Sequence, residues 1–324
     1  MKFTTLLATT STVSAAPIAA PNPAAIAKPL AISSTQARNV YTEAERRQTV
    51  PGKEVRATSH GRDSVKFTLY LHLEAPKSYD VFKVVPSAPY LALIGDIDCV
   101  KDSEFCEFTT KLSKFKIVFL VLKNHDSYHS NWTSTKENIL DFEKENREKN
   151  TAGNLGSFIF LDQTRFDLSD EITILGCTLF SSILPPQVEM AGFGLKDFYH
   201  TEDWTVERHS QAHKADLERL NTQVKSISEP EPHRKIIIFT HHSPTVSSLA
   251  TDPVNANSQV SSRFSSDLSE ICWTSLNVRV WAYGHTHFNC DFLDPGNGKR
   301  AVTNQSGYYF KQSEGFDETK TIEI

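Results

Sequence analysis

The chain has 324 residues, of which 39% are hydrophobic, and this length suits one large α/β domain or two smaller ones. Its formal net charge of −5 and its pI near 6.2 exclude the strongly basic field that marks nucleic-acid-binding proteins. No apolar run approaches the roughly 18 residues that a bilayer requires, so the sequence predicts no transmembrane helix.

Residues 1–62 show little apolar periodicity and are rich in Pro, Ala, Ser and Thr. Their first part, MKFTTLLATTSTVSAAPIAAP, has a lysine, a weakly apolar stretch and small residues, as a secretory signal peptide does. A disordered leader and an artefact of the gene prediction are the alternatives, so a cytoplasmic and a secreted location both stay open. The five cysteines contain no CxxC pair and do not decide between them. We predict a leader or tail over 1–62 and one folded domain over 63–324.

The folded part begins with a segment, 65–74, in which apolar and polar residues alternate with the period of two of a half-buried strand. Tyr70 and His72 therefore project from the same face of that strand. Six further apolar runs predict strands, and several are β-branched or aromatic throughout, as in strands buried on both faces. These runs lie at 88–95, 115–122, 156–162, 172–178, 234–240 and 278–284.

Helical patterns lie between these runs, at 104–113, 136–147 and 208–227. The last is the clearest, because it carries an apolar stripe at helical spacing and is followed by the prolines of SEPEPH. The stripe consists of Leu217, Leu220, Val224 and Ile227. The alternation of strands and helices predicts a layered α/β fold with at least partly parallel sheets.

Polar side chains that can bind metals follow four of the predicted strands directly, at the carboxyl ends where open α/β sheets place ligands. They are Asp96, Asn124-His125, His241-His242 and His285-Thr286-His287, and His72 on the first strand makes a fifth position. Each position alone has an ordinary explanation as a surface or capping residue. Together they favour a site for divalent ions, because imidazole, carboxylate and amide oxygen all suit such ions. If the segment at 285–287 stays extended, its two imidazoles point the same way.

The order LHLE, GDI, NHD, THHSP and GHTH resembles the calcineurin-like metallophosphoesterase superfamily. The longer stretches FTHHSPT (239–245), WAYGHTHFNCDF (281–292) and SGYYFKQSEGFD (306–317) are most similar to a fungal, Ser/Thr-phosphatase-like branch. The resemblance runs from about residue 64 to the last residue. It implies two packed mixed β-sheets flanked by helices, an α/β/β/α sandwich with its site at the strand ends.

The resemblance also implies a dinuclear metal centre of Mn, Fe or Zn, with one or two ions in each chain. Metal A would be held by His72, Asp96 and His287, and metal B by Asp96, Asn124, His241 and His285. Asp96 would bridge the ions, which clamp a phosphoryl group and generate hydroxide from water. His125 would lie over the phosphate and stabilise the transition state or protonate the leaving oxygen. His242 is expected to form a wall of the site.

Tyr70 departs from the superfamily, which has Asp-x-His where this chain has Tyr70-Leu71-His72. The substitution removes one anionic contact from metal A. A phenol with an unperturbed pKa near 10 must lose a proton before it can replace that contact, and its ring is much longer than an aspartate side chain. We therefore interpret the first metal motif as degenerate.

Lys123 is the second departure, because the superfamily has glycine there. Glycine permits a positive φ that lysine adopts only at a cost, so strain is expected at this position. We expect the Lys123 side chain to point to solvent. The alternative is that its ammonium turns inward and partly replaces a missing cation.

Two functions follow from these observations. The first is a metal-dependent hydrolase of phosphate mono- or diesters that acts on a phosphorylated small molecule or a nucleotide. The second is a pseudoenzyme that keeps the fold and a partial metal site without useful turnover. A third, adhesion or another interaction outside the cell, depends on the leader alone. Specificity would lie in the loops at 184–205 and 243–262, and the sequence leaves the oligomeric state open.

Overall fold

A computed structural model describes residues 67–70, 86–95, 112, 114–150, 156–256, 258, 260–308 and 311–324. Several predictions fall outside these residues. They are the leader at 1–62, the metal ligands His72 and Asp96, and all but Leu112 of the helix predicted at 104–113. Among the helices in the described ranges, none is both long and apolar enough to cross a membrane.

The first sheet has five strands in the order β13-β1-β2-β3-β4. Strands β1 to β4 run parallel to their neighbours, whereas β13 pairs antiparallel with β1 at the edge. The strands are β1 (Phe67–Tyr70), β2 (Tyr90–Leu93), β3 (Ile117–Leu120), β4 (Ser157–Phe160) and β13 (Thr321–Ile322). Because β1, β2 and β3 are parallel and in register, their carboxyl ends lie at the same edge of the sheet.

The second sheet has six strands in the order β5-β6-β7-β8-β10-β9. Its four central strands are parallel, and the edge strands β5 and β9 are antiparallel to their neighbours. The strands are β5 (Thr164–Asp167), β6 (Ile172–Cys177), β7 (Lys235–Thr240), β8 (Val278–Ala282), β9 (Asp291–Leu293) and β10 (Arg300–Val302). A short hairpin of β11 (Gly307–Tyr308) and β12 (Lys311–Gln312) follows.

Five α-helices are described: α1 (Trp132–Lys149), α2 (Val188–Gly194), α3 (Asp197–His200), α4 (Val206–Ser228) and α5 (Ile271–Thr274). Helix α1 begins after Asn131, whose side chain accepts a hydrogen bond from the Ser134 amide. Helix α4 begins after Thr205, whose side chain accepts a hydrogen bond from the Arg208 amide. Such caps satisfy amide groups that the first turn of a helix leaves without a partner. The stripe predicted on α4 faces inward: Leu220, Val224 and Ile227 are buried.

The hydrophobic core lies in three layers. The central layer joins both sheets, with Ala92 and Phe119 from the first and Ile237 and Val280 from the second. In the second layer, Ile139 of α1 packs on the outer face of the first sheet. In the third layer, α4 and α5 pack on the outer face of the second sheet. Helix, sheet, sheet and helix therefore follow one another through the molecule, and the predicted α/β fold of two packed mixed sheets flanked by helices is confirmed.

Candidate metal centre

The structure brings three of the predicted ligands together, each from the carboxyl end of a different strand. Asn124 follows β3, His241 follows β7 directly and His285 follows β8. Asn124 Oδ1 lies 2.9 Å from His241 Nε2, and the His241 and His285 ring centroids are 4.8 Å apart. The Gly284 amide also donates to the His241 carbonyl, which fixes the ends of β7 and β8 to one another. All three side chains are buried.

The surroundings of His241 fit a bound cation. Its Nδ1 lies 3.2 Å from the Ile94 carbonyl oxygen and its Nε2 faces the Asn124 oxygen, yet a neutral imidazole carries only one N–H. In the tautomer that donates from Nδ1 to Ile94, the lone pairs of Nε2 and Oδ1 face each other. Both atoms, 2.9 Å apart, then present lone pairs to the same space, as two ligands of one cation would.

The described part of the chain supplies only a portion of the predicted ligands. Within it, no group of three or more His, Cys, Asp or Glu side chains is arranged to hold a metal ion. Asn124 is not one of those four residue types, and Asp96, which the sequence places in both metal sites, is outside the described ranges. His72 is outside them too, so metal A is represented here by His287 alone.

The segment at 285–287 is not extended. The condition under which its two imidazoles would point the same way is therefore not met. His285 and His287 have φ of 66° and 53°, in the left-handed region that non-glycine residues rarely adopt. Hydrogen bonds stabilise this conformation: the His287 amide donates to Gln305 Oε1, and Ser313 Oγ donates to the His287 carbonyl. His285 is buried, whereas His287 is half-buried.

The predictions for Lys123 are wrong in two respects. Its backbone has φ of −102° and ψ of 170°, an ordinary extended conformation, so the absence of glycine causes no strain. Its side chain is 1% exposed and does not point to solvent. The ammonium lies 3.9 Å from Asp126 Oδ1, and the Lys123 amide donates to Asp126 Oδ2. Asp126 thus provides the negative charge that makes burial of this lysine tolerable.

His125 lies on the turn of 3-10 helix Asn124–Ser127, which follows β3 after residues 121–123. It is half-buried, and its ring stacks on Tyr128 with centroids 4.5 Å apart. The bonds between Lys123 and Asp126 close this turn on the side of β3. His125 therefore has solvent access beside buried Asn124, as a residue that transfers a proton to a substrate requires.

His242 packs as a wall of the site. It is completely buried, with its ring centroid 4.2 Å from that of His285 and 5.7 Å from that of Phe180. Neither ring nitrogen has a hydrogen-bond partner among the described residues. Burial, together with the neighbouring histidines, holds the pKa of His242 well below its usual value, so its imidazole is neutral.

Two polar residues of the site escaped prediction from the sequence. Asp197 on α3 accepts hydrogen bonds from Asn124 Nδ2 at 2.9 Å and from the Tyr128 hydroxyl at 2.6 Å, both through Oδ1. Asp197 and Tyr128 belong to no family pattern that we recognised. Asp197 is 73 residues from Asn124 in the sequence, so no local signal links them.

Asp216 on α4 supports the loop behind His242 and gives a pH prediction. Its carboxylate accepts from the Leu179 amide and from Gln163 Nε2, both at 2.8 Å, and Leu179 has a positive φ of 66°. Burial, to which Asp162 adds, raises the pKa of Asp216 from 3.8 to about 6, while Lys136 opposes the rise. The native state therefore binds this proton more tightly than the unfolded state does.

The free energy of unfolding should consequently fall as pH rises from about 4 through 6, and the loss should persist above pH 6. Between pH 4 and pH 7, the free energy of unfolding of the parent should fall by on the order of 1–3 kcal/mol more than that of Asp216→Asn. Urea unfolding of both proteins at the two pH values measures this difference. A difference between parent and variant that does not change with pH would contradict the assignment.

Comparisons with known proteins agree with this architecture. A family model described as calcineurin-like phosphoesterase matches residues 71–289. The structure is similar to phosphopantetheinyl hydrolase from Mycobacterium tuberculosis, with a TM-score of 0.56 and 15% identity over 80% of this chain and 96% of that chain. A dimetal phosphatase from Danio rerio gives a TM-score of 0.45 and 13% identity over 75% and 88%. Curated protein sequences give no significant match. At 15% identity, the likeness to the hydrolase shows a shared fold and no more.

Proposed function

This chain belongs to the calcineurin-like phosphoesterase family, and we propose that it is a metal-dependent hydrolase of phosphate mono- or diesters. The observation that carries the proposal is the meeting of Asn124, His241 and His285 at the ends of three strands, with Oδ1 and Nε2 2.9 Å apart. The substrate class is a phosphorylated small molecule or a nucleotide. The residues that bind its leaving group would come from the loops at 184–205 and 243–262.

The residues divide into two ligand sets in this proposal. Asn124, His241, His285 and Asp96 would hold one ion. His72, His287 and Asp96 would hold the second, and Tyr70 supplies no carboxylate to that set. When bound, a divalent ion polarises the phosphoryl group and lowers the pKa of water, so that a nucleophile exists near neutral pH.

The protein's own side chains perform the remaining work. Half-buried His125 protonates the leaving oxygen, so that the group departs as a neutral alcohol and not as an alkoxide. The Ile94 carbonyl fixes the His241 ring, and the buried His242 and Phe180 rings exclude water from one wall. In such a dry site, electrostatic interactions with the phosphate are stronger than they are in water.

Hydrolysis of bis-p-nitrophenyl phosphate by the full chain tests the proposal. We expect turnover in the presence of Mn²⁺, its loss after treatment with EDTA, and its return when Mn²⁺ is added back. p-Nitrophenyl phosphate, tested in parallel, distinguishes a diesterase from a monoesterase. A folded protein that hydrolyses neither compound with Mn²⁺, Fe²⁺ or Zn²⁺ would contradict the proposal.

The pseudoenzyme is the second candidate, and Tyr70 is the observation that favours it. Tyr70 ends β1 and pairs with Leu93 of β2, three residues before Asp96. Tyr70→Asp should supply the missing carboxylate and raise diester turnover with Mn²⁺ by about 10-fold or more, because the second ion contributes transition-state stabilisation. The matched control is Tyr70→Asn, which has the size of aspartate without its charge and should raise turnover by a smaller factor, because a neutral amide oxygen is a weaker ligand than a carboxylate.

The two candidates give different results in this comparison. A parent without turnover that becomes active only as Tyr70→Asp is a pseudoenzyme. A measurable parent rate that rises in the same variant indicates an impaired enzyme. If Tyr70→Asp and Tyr70→Asn have equal rates, position 70 does not contact the metal centre.

A further inference from the structure

Asp197 holds Asn124 from the side opposite His241. Asn124 is 3% exposed and uses both ends of its amide: Nδ2 donates to Asp197 Oδ1 at 2.9 Å, and Oδ1 lies 2.9 Å from His241 Nε2. Asp197 is itself 2% exposed. Carboxylate, amide and imidazole therefore form one continuous buried row that ends at the Ile94 carbonyl.

The chemistry of the carboxylate decides which way the amide points. Asp197 Oδ1 accepts the hydrogen bond from Nδ2, so the amide oxygen at the other end of the side chain faces His241. The reversed amide would place two oxygens against each other in a buried space, where an unsatisfied polar group costs most. Without Asp197, either orientation could satisfy one end of the amide, and the oxygen would face the metal only part of the time.

Several contacts fix Asp197 itself in place. The helix that carries it, α3, is bonded to the turn after Asn124 by the His129 amide, which donates to the His200 carbonyl. Just beyond α3, the Glu202 amide donates to the Ser130 carbonyl at 2.7 Å. The hydroxyls of Ser127 and Thr201 are 3.0 Å apart and form a third link. These links hold the segment that carries Asp197 against the segment that carries Asn124, so the carboxylate stays beside the amide.

We propose that Asp197 is a positioning residue that keeps the Asn124 amide oxygen directed at the metal beside His241. The inference deepens the proposed function and rests on it. The hydrogen bond from Nδ2 also draws electron density toward Oδ1, which makes the oxygen a stronger ligand. Loss of an outer partner of a metal ligand typically weakens metal affinity by about 10–100-fold, and the same effect is expected here.

Calorimetric titration of the metal-free full chain with Mn²⁺ tests this role without reference to activity. Asp197→Ala should weaken Mn²⁺ binding by about 10–100-fold. Asp170→Ala is the matched control, because it makes the same substitution on the exposed turn between β5 and β6 and leaves the bond from Asn124 to Asp197 intact. This variant should bind Mn²⁺ within about 3-fold of the parent. Should Asp197→Ala fail to fold, Asp197→Asn keeps the volume and should give a smaller loss in the same direction.

A double-mutant cycle separates positioning from general support of the fold. In an Asn124→Ala background, Asp197→Ala should change Mn²⁺ affinity by less than about 2-fold, because the amide on which it acts is absent. An equal loss in both backgrounds would overturn the positioning role, as would parent-like affinity in folded Asp197→Ala and Asp197→Asn. A parent that binds no Mn²⁺ would overturn the proposed function together with the positioning role. A parent that binds Mn²⁺ while the Asp197 variants bind it equally well would overturn the positioning role alone.

Discussion

Replacing His241 with alanine is expected to reduce Mn²⁺-dependent hydrolysis of bis-p-nitrophenyl phosphate by about 100-fold or more. His241 is completely buried, and its two ring nitrogens connect Asn124 Oδ1 with the Ile94 carbonyl. Its removal takes away a proposed metal ligand. Since loss of an outer partner alone can cost about 100-fold, loss of the ligand should cost at least as much.

The matched control is His233→Ala. His233 is exposed and precedes β7, whereas His241 directly follows the same strand, so the two substitutions remove the same group from opposite ends. The control should retain the parent rate. Circular dichroism and thermal unfolding establish that both variants fold. Parent-like turnover in a folded His241→Ala protein would show that hydrolysis takes place elsewhere.

Trp281→Ala should lower the free energy of unfolding by about 3–5 kcal/mol, the range for removal of a large buried aromatic side chain. Trp281 lies on β8 and is among the largest completely buried side chains that the structure describes. Its ring packs on Trp273 of α5 with centroids 5.5 Å apart. Its Nε1 donates to Thr240 Oγ1 at 2.9 Å, and the Thr240 hydroxyl in turn donates to the His242 carbonyl. The substitution would therefore loosen the two strands that present His241 and His285.

Urea unfolding measures this loss, and Leu293→Ala is a suitable control. Leu293 lies on the edge strand β9 and is 65% exposed, so its truncation creates no internal cavity. The control should change the free energy of unfolding by about 0.5 kcal/mol or less. A loss below about 1 kcal/mol in Trp281→Ala would contradict the packing described for β8 and α5.

The sequence was sufficient for β6, β7 and β8 because their apolar runs are long and free of breaks, whereas the central strand β10, with three residues, escaped prediction. The run at 234–240 predicted β7, and 208–227 predicted α4 to within a few residues. The edge strands β5 and β9 escaped prediction because they are short, and the polar TRFD of β5 resembles a loop. Such strands are formed by pairing with a neighbour more than by their own residues.

At the site, the structure has the candidate ligands Asn124, His241 and His285 at strand ends, as the sequence predicts, but the sequence could not provide their surroundings. The prediction for Lys123 was wrong because the burial of its side chain depends on contacts with Asp126. Those contacts form only in the folded turn. Asp197 was missed because only tertiary structure brings α3 to Asn124. The positive φ of His285 likewise depends on its surroundings and has no signature in the residue itself. Departures of this kind are expected where function imposes constraints on local structure.

The most direct test of the metal centre is a count of metal ions bound to the full chain by elemental mass spectrometry, after loading with Mn²⁺ and gel filtration. One or two ions are expected in each parent chain, and two only if the second site forms despite Tyr70. The double variant Asn124→Ala/His241→Ala should carry one ion fewer than the parent. A folded parent chain that carries no ion under these conditions would contradict the central claim that the ends of β3, β7 and β8 form a metal centre.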